Sequence, residues 1–292
     1  MAETTPQKTW RVLDLINWTT KYLQEKGFPS PRSDVEWLLM DVLNCSRVDL
    51  YTDFEKPVKQ SELGIFKTLL KRRLAHEPVQ YIIGETEFMG FPFQVNESVL
   101  IPRPETEILV EKAVDWLRKQ PKTFYRVIDI GAGSGCLGVS LARLAPHLEL
   151  TLVDISEDAL NVARKNARIN KVTEQITCRQ MDILTETPTE KFDLIVSNPP
   201  YIAVKELEHL QNDIQKFEPR TALVAGENGL IFYRRYAEFA KGWLVENGKI
   251  FLEIGGTHQS KSVMNLFRGN NWSEISLHKD YADQDRLLIA AP

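Results

Sequence analysis

Strand-like and helical segments alternate from Arg126 to the end of this 292-residue chain, and that alternation restricts the fold more than any other feature. Short apolar runs separated by helical patterns are typical of βαβ units, whose parallel strands lie in one buried sheet. We therefore predict an α/β domain with a seven-stranded, mostly parallel sheet. Its predicted strands are residues 127–130, 148–153, 176–180, 194–197, 249–254, 274–278 and 286–290.

The first 85 residues carry apolar side chains at helical spacing instead. One predicted helix ends at Gly27, a second begins at Pro31 and a third begins at Ser61. Together they predict a small all-α helical bundle over residues 1–85. The basic run from Lys71 to Arg73 is expected on the outside of the third helix. It is either a solvated face or a docking surface for an acidic or RNA-associated partner.

Between the bundle and the α/β domain the apolar period changes to two. Phenylalanine and valine alternate with polar residues over positions 85–101, which predicts a short β-hairpin. A loop pinned by Pro102 and Pro104 follows and runs into a helix for which Thr106 is a candidate cap. We expect a hairpin linker over residues 86–104 and the main domain over residues 105–292.

A glycine-rich segment directly follows the first predicted strand of the α/β domain. Gly131, Gly133 and Gly135 alternate with Ala132 and Ser134 and open a helix. Glycine allows a tight turn and a close approach of a ligand to the backbone, and the start of a helix offers unpaired N–H groups. The segment therefore predicts a nucleotide-binding loop.

Acidic residues end the next two predicted strands. Asp154 can accept both hydroxyl groups of a ribose, although a carboxylate there could also cap the following helix. Asp182 could accept from the amino group of an adenine while Ile183 packs against the ring. A solvated loop acid is the alternative for Asp182.

The spacing of the glycines argues against a dinucleotide ligand. They follow the pattern G-x-G-x-G, whereas the dinucleotide-binding pattern is G-x-G-x-x-G. Asp129 precedes them in the strand, where a carboxylate is poorly suited to a pyrophosphate and well suited to a cationic or amino-bearing ligand. S-adenosylmethionine has a sulfonium and an ammonium group and no phosphate, so it fits this loop better than a dinucleotide.

The fourth predicted strand ends in Asn198, Pro199, Pro200 and Tyr201. Each proline fixes its own φ, and Pro199 favours an extended conformation of Asn198. The Asn198 side-chain oxygen and nearby carbonyls are then fixed acceptors, with the ring of Tyr201 beside them. Such a site could bind both hydrogens of a planar NH2 group, although an Asn-Pro turn is also common in ordinary loops. Ligands of open α/β sheets bind at the carboxyl ends of the strands, which places this loop near the glycines.

The overall composition is that of an ordinary globular chain, with 43% hydrophobic and 26% charged residues. A net charge of −4 argues against a general nucleic-acid binder. The three cysteines, Cys45, Cys136 and Cys178, are widely spaced, and we expect reduced core thiols and no metal site. Neither a signal peptide at the polar start, Met1 to Trp10, nor a membrane span is expected, so we expect a cytoplasmic protein.

The glycine loop followed by Asn198 to Tyr201 resembles class I methyltransferases that methylate nitrogen on planar amides or exocyclic amines. Three further segments narrow the resemblance to the HemK/PrmC family of release-factor glutamine N5-methyltransferases. They are Pro78 to Gly84, Leu100 to Glu107 and Phe217 to Leu223. The resemblance covers essentially the whole chain, and its most specific segment is the Pro-Arg-Pro-Glu-Thr-Glu stretch from Pro102.

That resemblance implies a Rossmann-like methyltransferase domain that transfers a methyl group from S-adenosylmethionine to the glutamine of the GGQ tripeptide in peptide-chain release factors. It implies release factors as partners, docked by the N-terminal bundle. The cofactor residues would be Gly131, Ala132, Gly133, Ser134, Gly135, Asp154, Asp182, Ile183 and Asn198. The catalytic residues would be Asn198, Pro199, Pro200 and Tyr201. Substrate would bind to the same four residues and to Arg103 and Glu105. Ile183 departs from the pattern, because relatives often have an aromatic residue there.

Other interpretations remain open at this point. Arg103 and Glu105 could be surface charge rather than the wall of a site. The enzyme could methylate an amine of a nucleic-acid base, which would require a basic cleft, or the glutamine of another protein, such as a ribosomal protein. A nicotinamide oxidoreductase or a non-catalytic nucleotide-binding module is a further alternative, which the glycine spacing disfavours. We expect a monomer.

Overall fold

The computed structural model describes residues 9–145 and 147–292, which form two compact units, residues 9–84 and residues 85–292. The expectation that Met1 to Trp10 contain no signal peptide concerns residues that lie almost entirely outside the described part of the chain. Within the part of the chain that the structure describes, no helix is both long and apolar enough to span a membrane. Each unit has its own hydrophobic core.

The first unit is all helical, as predicted. Its core is formed by isoleucine, leucine, valine and phenylalanine side chains at helical spacing, among them Ile16, Leu38 and Phe66. Two short helices were not predicted, because a helix of five or six residues is too short to show a helical period. The helices are α1 (Val12–Glu25), α2 (Pro31–Leu43), α3 (Arg47–Thr52), α4 (Gln60–Leu74) and α5 (Val79–Ile83).

The prediction that the basic run of α4 lies outside was wrong for Arg73. Its side chain is only 5% exposed and donates from Nε to Asp34 Oδ2 of α2 at 2.8 Å. The Arg73 guanidinium also lies over the ring of Phe28, 4.5 Å from its centroid. A cation inside a helical bundle is stable only when it is paired, and Asp34 supplies the pair. Lys71 is exposed and Arg72 binds Glu77, so the run does not form one basic face.

The second unit begins with a hairpin and continues as an α/β domain. Its strands are β1 (Glu85–Phe88), β2 (Phe91–Gln94), β3 (Tyr125–Ile130), β4 (Leu148–Asp154), β5 (Ile176–Gln180), β6 (Phe192–Ser197), β7 (Leu244–Glu253), β8 (Glu274–Lys279) and β9 (Asp285–Ala291). Its helices are α6 (Glu107–Arg118), α7 (Cys136–Leu144), α8 (Glu157–Ile169), α9 (Asn212–Phe217), α10 (Arg220–Leu223), α11 (Ile231–Phe239) and α12 (Thr257–Gly269).

Seven of the described strands form one sheet in the order β5-β4-β3-β6-β7-β9-β8. Neighbouring strands from β5 to β7 pair in parallel, and β9 pairs antiparallel with both β7 and β8. The predicted seven-stranded, mostly parallel sheet is thus confirmed. The chain runs outward from β3 to β5 and then returns beside β3 as β6, so a crevice opens between the carboxyl ends of β3 and β6.

The hairpin of β1 and β2 belongs to the second unit. Asn166 of α8 is fully buried and fixes the hairpin by its side-chain amide. Its Oδ1 accepts from the Gln94 N–H at 2.7 Å, and its Nδ2 donates to the carbonyl groups of Gln94 and Ser134 at 2.9 and 2.8 Å. One amide therefore joins the hairpin to the glycine-rich loop. Residues 86–104, for which a hairpin linker was expected, lie in the same compact unit as the α/β domain.

All three cysteines are free thiols, as expected, but each is partly exposed rather than fully in a core. Cys136 begins α7, where burial raises the pKa of its thiol to about 12. A thiol with a pKa this high is protonated at neutral pH and is a weak nucleophile. The second unit therefore contains no activated cysteine at this position.

The buried Arg73–Asp34 pair predicts a stability effect. Replacing Asp34 by alanine removes the carboxylate that binds the buried Arg73 guanidinium, which we expect to lower the free energy of unfolding of the first unit by about 3–5 kcal/mol. The matched control is Glu55→Ala, which removes the partner of Arg11 in a pair exposed by 57% and 68%. We expect the control to change stability by less than about 1 kcal/mol. The measurement is urea unfolding of the full chain, fitted with a separate transition for each unit. Equal losses of stability in the two variants would contradict this account.

Candidate functional site

A cavity of about 300 Å³ lies at the carboxyl ends of the parallel strands. Loops after β3, β4, β5 and β6 contribute to its walls, together with segments that precede α6 and follow α9. Its size and its mixture of apolar walls with a few polar groups are typical of a small-molecule site. The predicted site residues that line it are Arg103, Gly131, Ala132, Gly133, Ser134, Asp154, Asp182, Ile183, Asn198, Pro199 and Pro200.

The glycine-rich loop forms one side of the cavity. Gly131 and Gly133 have φ values of +74° and +54°, which only glycine adopts without strain. A Cβ atom built on either residue would meet no heavy atom within 4 Å, so the loop leaves open space where a ligand can approach its backbone. Gly135 is required for packing instead, because a Cβ there would lie 3.0 Å from Ala163 Cβ of α8. Gly135 therefore allows the close packing of the loop against α8.

Asp154 stands at the end of β4 and faces the cavity. Its Oδ2 accepts from the Gly133 N–H at 2.8 Å and its Oδ1 accepts from the Ser156 N–H at 2.9 Å. The cap of α8 is Ser156, whose hydroxyl accepts from the Ala159 N–H, so Asp154 is not the helix cap. A carboxylate has about four acceptor positions, so each oxygen can still accept one more hydrogen bond. Burial raises the pKa of Asp154.

Asp182 and Ile183 follow β5 and form the next part of the wall. Asp182 Oδ1 accepts from the Leu184 N–H at 3.0 Å, and its Oδ2 accepts from the Thr185 hydroxyl at 3.0 Å. These bonds close a turn that places Asp182 beside the cavity while Ile183 is 5% exposed. The wall therefore combines one carboxylate with an apolar surface.

Asp129 does not line the cavity, although the sequence suggested that it could attract a cationic ligand. It is fully buried behind the loop, where Oδ2 accepts from the Gly138 N–H at 3.0 Å. Its Oδ1 has no hydrogen-bond partner among the described residues. Burial raises the pKa of Asp129 to about 7, so this carboxyl is partly neutral at physiological pH.

Asn198 follows β6 at the opposite side of the crevice. Its Nδ2 donates to Thr106 Oγ1 at 3.1 Å, and Thr106 Oγ1 donates to Glu253 Oε2 at 2.6 Å. No donor among residues 9–145 and 147–292 binds Asn198 Oδ1. Thr106 was predicted to cap α6, but its side chain makes no cap bond and is occupied by Asn198 and Glu253 instead. The free end of the amide is therefore its oxygen, an acceptor.

Tyr201 does not line the cavity. Its ring packs beside Gly255, where a Cβ atom would lie 2.8 Å from Tyr201 Cδ2, and burial raises the pKa of its phenol to about 12. Gln259 of α12 holds the same loop, since its Nε2 donates to the carbonyl groups of Tyr201 and Gly229 at 3.3 and 3.0 Å. Tyr201 thus anchors the Asn198 loop from behind, which differs from the ligand-facing ring expected from the sequence.

The two charged residues of the proline-rich loop differ in position. Arg103 lines the cavity and forms an ion pair with Glu218, whose side chain is only 2% exposed. Burial raises the pKa of Glu218, and the charge of Arg103 opposes that rise. Glu105 is exposed and is not among the residues that line the cavity. Arg103 therefore connects the proline-rich loop to the segment before α10, and Pro219 of that segment and Thr221 of α10 also line the cavity.

Three residues around the site were missed at the level of sequence. Thr106 was assigned to a helix cap, and Gln259 carries no signal beyond its place in an amphipathic helix. Glu253 did carry a signal, because an acidic residue at the end of an apolar strand is costly to bury unless it binds a partner. All three act through tertiary contacts with distant segments.

The amino-acid sequence is similar to those of known proteins over almost its whole length. Residues 14–84 match the family model described as the PrmC N-terminal domain, and residues 106–217 match the one described as the methyltransferase small domain. The release factor glutamine methyltransferase of Geobacter sulfurreducens is 39% identical to this chain, over 96% of both proteins. The protein of the same name from Rhodopirellula baltica is 36% identical over 99% of this chain and 98% of its own length.

A solved structure supports the fold. The crystal structure of the hMettl16 catalytic domain in complex with MAT2A 3′UTR hairpin 1 matches with a TM-score of 0.56, covering 94% of this chain and 91% of that one. The two sequences are 15% identical. At that identity the likeness concerns the arrangement of helices and strands alone.

The contact between Gly229 and the Asn198 loop generates a stability prediction. Alanine at Gly229 would combine a φ of +72° with a Cβ only 2.3 Å from the Tyr201 carbonyl oxygen. Gly226 is the matched control, since its φ is +73° but the nearest atom to a Cβ, in Ile231, is 4.0 Å away.

We expect Gly226→Ala to cost about 1 kcal/mol from the backbone conformation alone. Gly229→Ala should cost a further amount of about 1–3 kcal/mol from the close contact. The measurement is the urea midpoint of the second unit. Equal losses in the two variants would show that the Tyr201 carbonyl is not held against Gly229.

Proposed function

The chain belongs to the release factor glutamine methyltransferase family, and we propose that it methylates the side-chain amide nitrogen of the glutamine in the GGQ tripeptide of peptide-chain release factors, with S-adenosylmethionine as the methyl donor. The observation that carries this proposal is the position of Asn198. Asn198 borders the same cavity as the glycine-rich loop, and no donor among the described residues binds its amide oxygen. The hydrogen-bond acceptor for the substrate amide and the loop that would bind the cofactor therefore lie at the same site.

The residues that line the cavity support S-adenosylmethionine as its ligand. Gly131 and Gly133 leave open space above their backbone, and Asp154 keeps acceptor positions for the hydroxyl groups of a ribose. Asp182 offers a carboxylate and Ile183 an apolar surface for the adenine. The bound cofactor supplies an electrophilic methyl group on a sulfonium. A loop without basic side chains suits a cation better than it suits a phosphate.

The residues of the Asn198 loop act on the substrate by positioning it. An amide nitrogen is a poor nucleophile, because its lone pair is delocalised into the carbonyl group. Asn198 Oδ1 accepts one amide N–H, and the backbone carbonyl of Pro199 accepts the other. Held in this way, the nitrogen faces the glycine-rich side of the cavity. Positioning of this kind lowers a barrier by about 7–11 kcal/mol in favourable cases.

The same acceptors stabilise the positive charge that develops on nitrogen, since they face the hydrogens on which that charge resides. A methylated amide cation loses its proton readily, so no strong base is required. Tyr201 anchors the loop, and Arg103 holds the wall that the glutamine would pass. In this proposal the first unit docks the release factor, and the enzyme acts as a monomer in the cytoplasm.

The central experiment is transfer of a labelled methyl group from S-adenosylmethionine to a purified full-length release factor. We expect labelling of the wild-type substrate and none when the GGQ glutamine is replaced by alanine. Asn198→Ala should lower kcat by about 100-fold or more, because it removes an acceptor that stabilises developing charge. Label on DNA, RNA or a ribosomal protein, and none on release factor, would overturn the proposed substrate.

A second experiment tests the cofactor site by calorimetry. Asp154→Asn should weaken binding of S-adenosylmethionine about tenfold or more, which corresponds to about 1.4 kcal/mol. Asp158→Asn is the matched control, because it removes the same charge from an exposed position in the first turn of α8. The control should stay within about twofold of wild type. Equal affinities of the two variants for S-adenosylmethionine would show that Asp154 does not bind the cofactor.

A further inference from the structure

Glu253 is a buried carboxyl that the transfer step described above leaves without a role. It ends β7, is only 2% exposed, and does not line the cavity. It reaches the site through one intermediate, since Thr106 Oγ1 donates to Glu253 Oε2 at 2.6 Å and accepts from Asn198 Nδ2 at 3.1 Å. A chain of two hydrogen bonds therefore joins Glu253 to the residue that borders the cavity.

The directions of these two bonds depend on the protonation of Glu253. An ionised carboxylate can only accept, so the single proton of the Thr106 hydroxyl must point to Glu253. Thr106 Oγ1 can then only accept from Asn198, which requires the Nδ2 end of the amide to face Thr106. With ionised Glu253, the Asn198 oxygen is left for the cavity.

A reversed chain would have the opposite effect on the site. If Glu253 donated to Thr106, the hydroxyl of Thr106 could donate to Asn198 Oδ1, and the amide would turn by half a rotation. Nδ2 would then face the cavity. A donor there would oppose the N–H groups of a substrate amide, and two donors facing each other leave both unsatisfied.

We propose that Glu253 and Thr106 are positioning residues that hold the Asn198 amide with its oxygen toward the substrate, an inference that rests on the proposed function. Glu253 lies behind the cavity and Thr106 is part of its wall, and in this proposal both act on the substrate through Asn198. Because ionised Glu253 accepts from the Thr106 hydroxyl, that hydroxyl can only accept from Asn198. Glu253 therefore determines which end of the Asn198 amide faces the substrate.

The surroundings of Glu253 make this selection sensitive to pH. Burial raises the pKa of Glu253 to about 7, while the bond from Thr106 and the charge of Arg286 lower it. The titratable and charged groups that face it are Arg286 on β9, Arg103 and Glu105 before α6, Tyr201 after β6, Tyr233 on α11 and Cys136 on α7. Below this pKa the carboxyl is neutral and both directions of the chain become available. The population of the productive orientation should therefore decrease as pH falls through about 7.

The first test observes Asn198 directly and does not depend on catalysis. In protein with 15N-labelled asparagine, the Asn198 side-chain amide resonance is identified by its absence in Asn198→Ala. We expect its shift to titrate near neutral pH in the wild-type protein and to stay constant in Glu253→Gln. A wild-type resonance that does not change with pH would overturn the link to Glu253.

The second test compares the kinetics of methyl transfer to full-length release factor. Thr106→Val is nearly isosteric and removes the hydroxyl, so we expect kcat to fall by about tenfold or more with KM within about twofold. Thr106→Ser keeps the hydroxyl and should recover most of the loss. Binding of S-adenosylmethionine, measured by calorimetry, should be unchanged in Thr106→Val, which separates loss of positioning from loss of folding.

The pH profile completes the test. Wild-type kcat should rise with pH through the titration of Glu253, and Glu253→Gln should lower kcat and remove that rise. A rise of kcat with pH that persists in Glu253→Gln would belong to another group, such as Asp129, and would overturn the inference. Equal kcat values for Thr106→Val and Thr106→Ser would also overturn it. If the wild-type enzyme transferred no methyl group to a release factor, the proposed function would fail, while the asparagine resonance would still report on the hydrogen-bond chain.

Discussion

The carboxyl ends of β3 and β6 lie side by side, and every part of the candidate site depends on that adjacency. The two strands pair in parallel from Val127 to Asp129, and the Ser197 hydroxyl donates to the Ile130 carbonyl at 2.6 Å where they end. The helices that follow the two strands cannot both cover the edge at this point, so a crevice remains. The glycine-rich loop leaves β3 on one side of it, and the Asn198 loop leaves β6 on the other.

Buried polar side chains then fix the loops that enter this crevice. Asn166 holds the hairpin and the glycine-rich loop, Gln259 holds the backbone of Tyr201 and Gly229, and Thr106 joins Asn198 to Glu253. A buried polar group that loses its partner costs about 1–3 kcal/mol, so each of these bonds favours one arrangement of the loop. The site therefore relies on rigid placement of acceptors rather than on a reactive side chain, which is appropriate for a weak nucleophile that needs orientation.

Much of this arrangement could be predicted from local sequence. The strands β3, β4, β6 and β7 contain apolar runs, and the positive φ of Gly131 and Gly133 follows from a glycine-rich turn between a strand and a helix. Parallel topology alone then brings Asp154, Asp182 and Asn198 to one edge. Arg73 was misplaced, because the distant Asp34 that pairs with its charge inside the bundle cannot be recognised from the local sequence.

The sequence by itself determined the two units, the parallel sheet and the chemistry of the cavity, because period, glycine spacing and strand ends are properties of short stretches. Only the tertiary structure decided how the acceptor is oriented. Thr106 and Asn198 are 92 positions apart, and Thr106 and Glu253 are 147 positions apart. The ring of Tyr201 likewise packs beside Gly255, which leaves room for it. Hydrogen-bond partners at such separations are set by how the elements pack, and no local pattern contains that information.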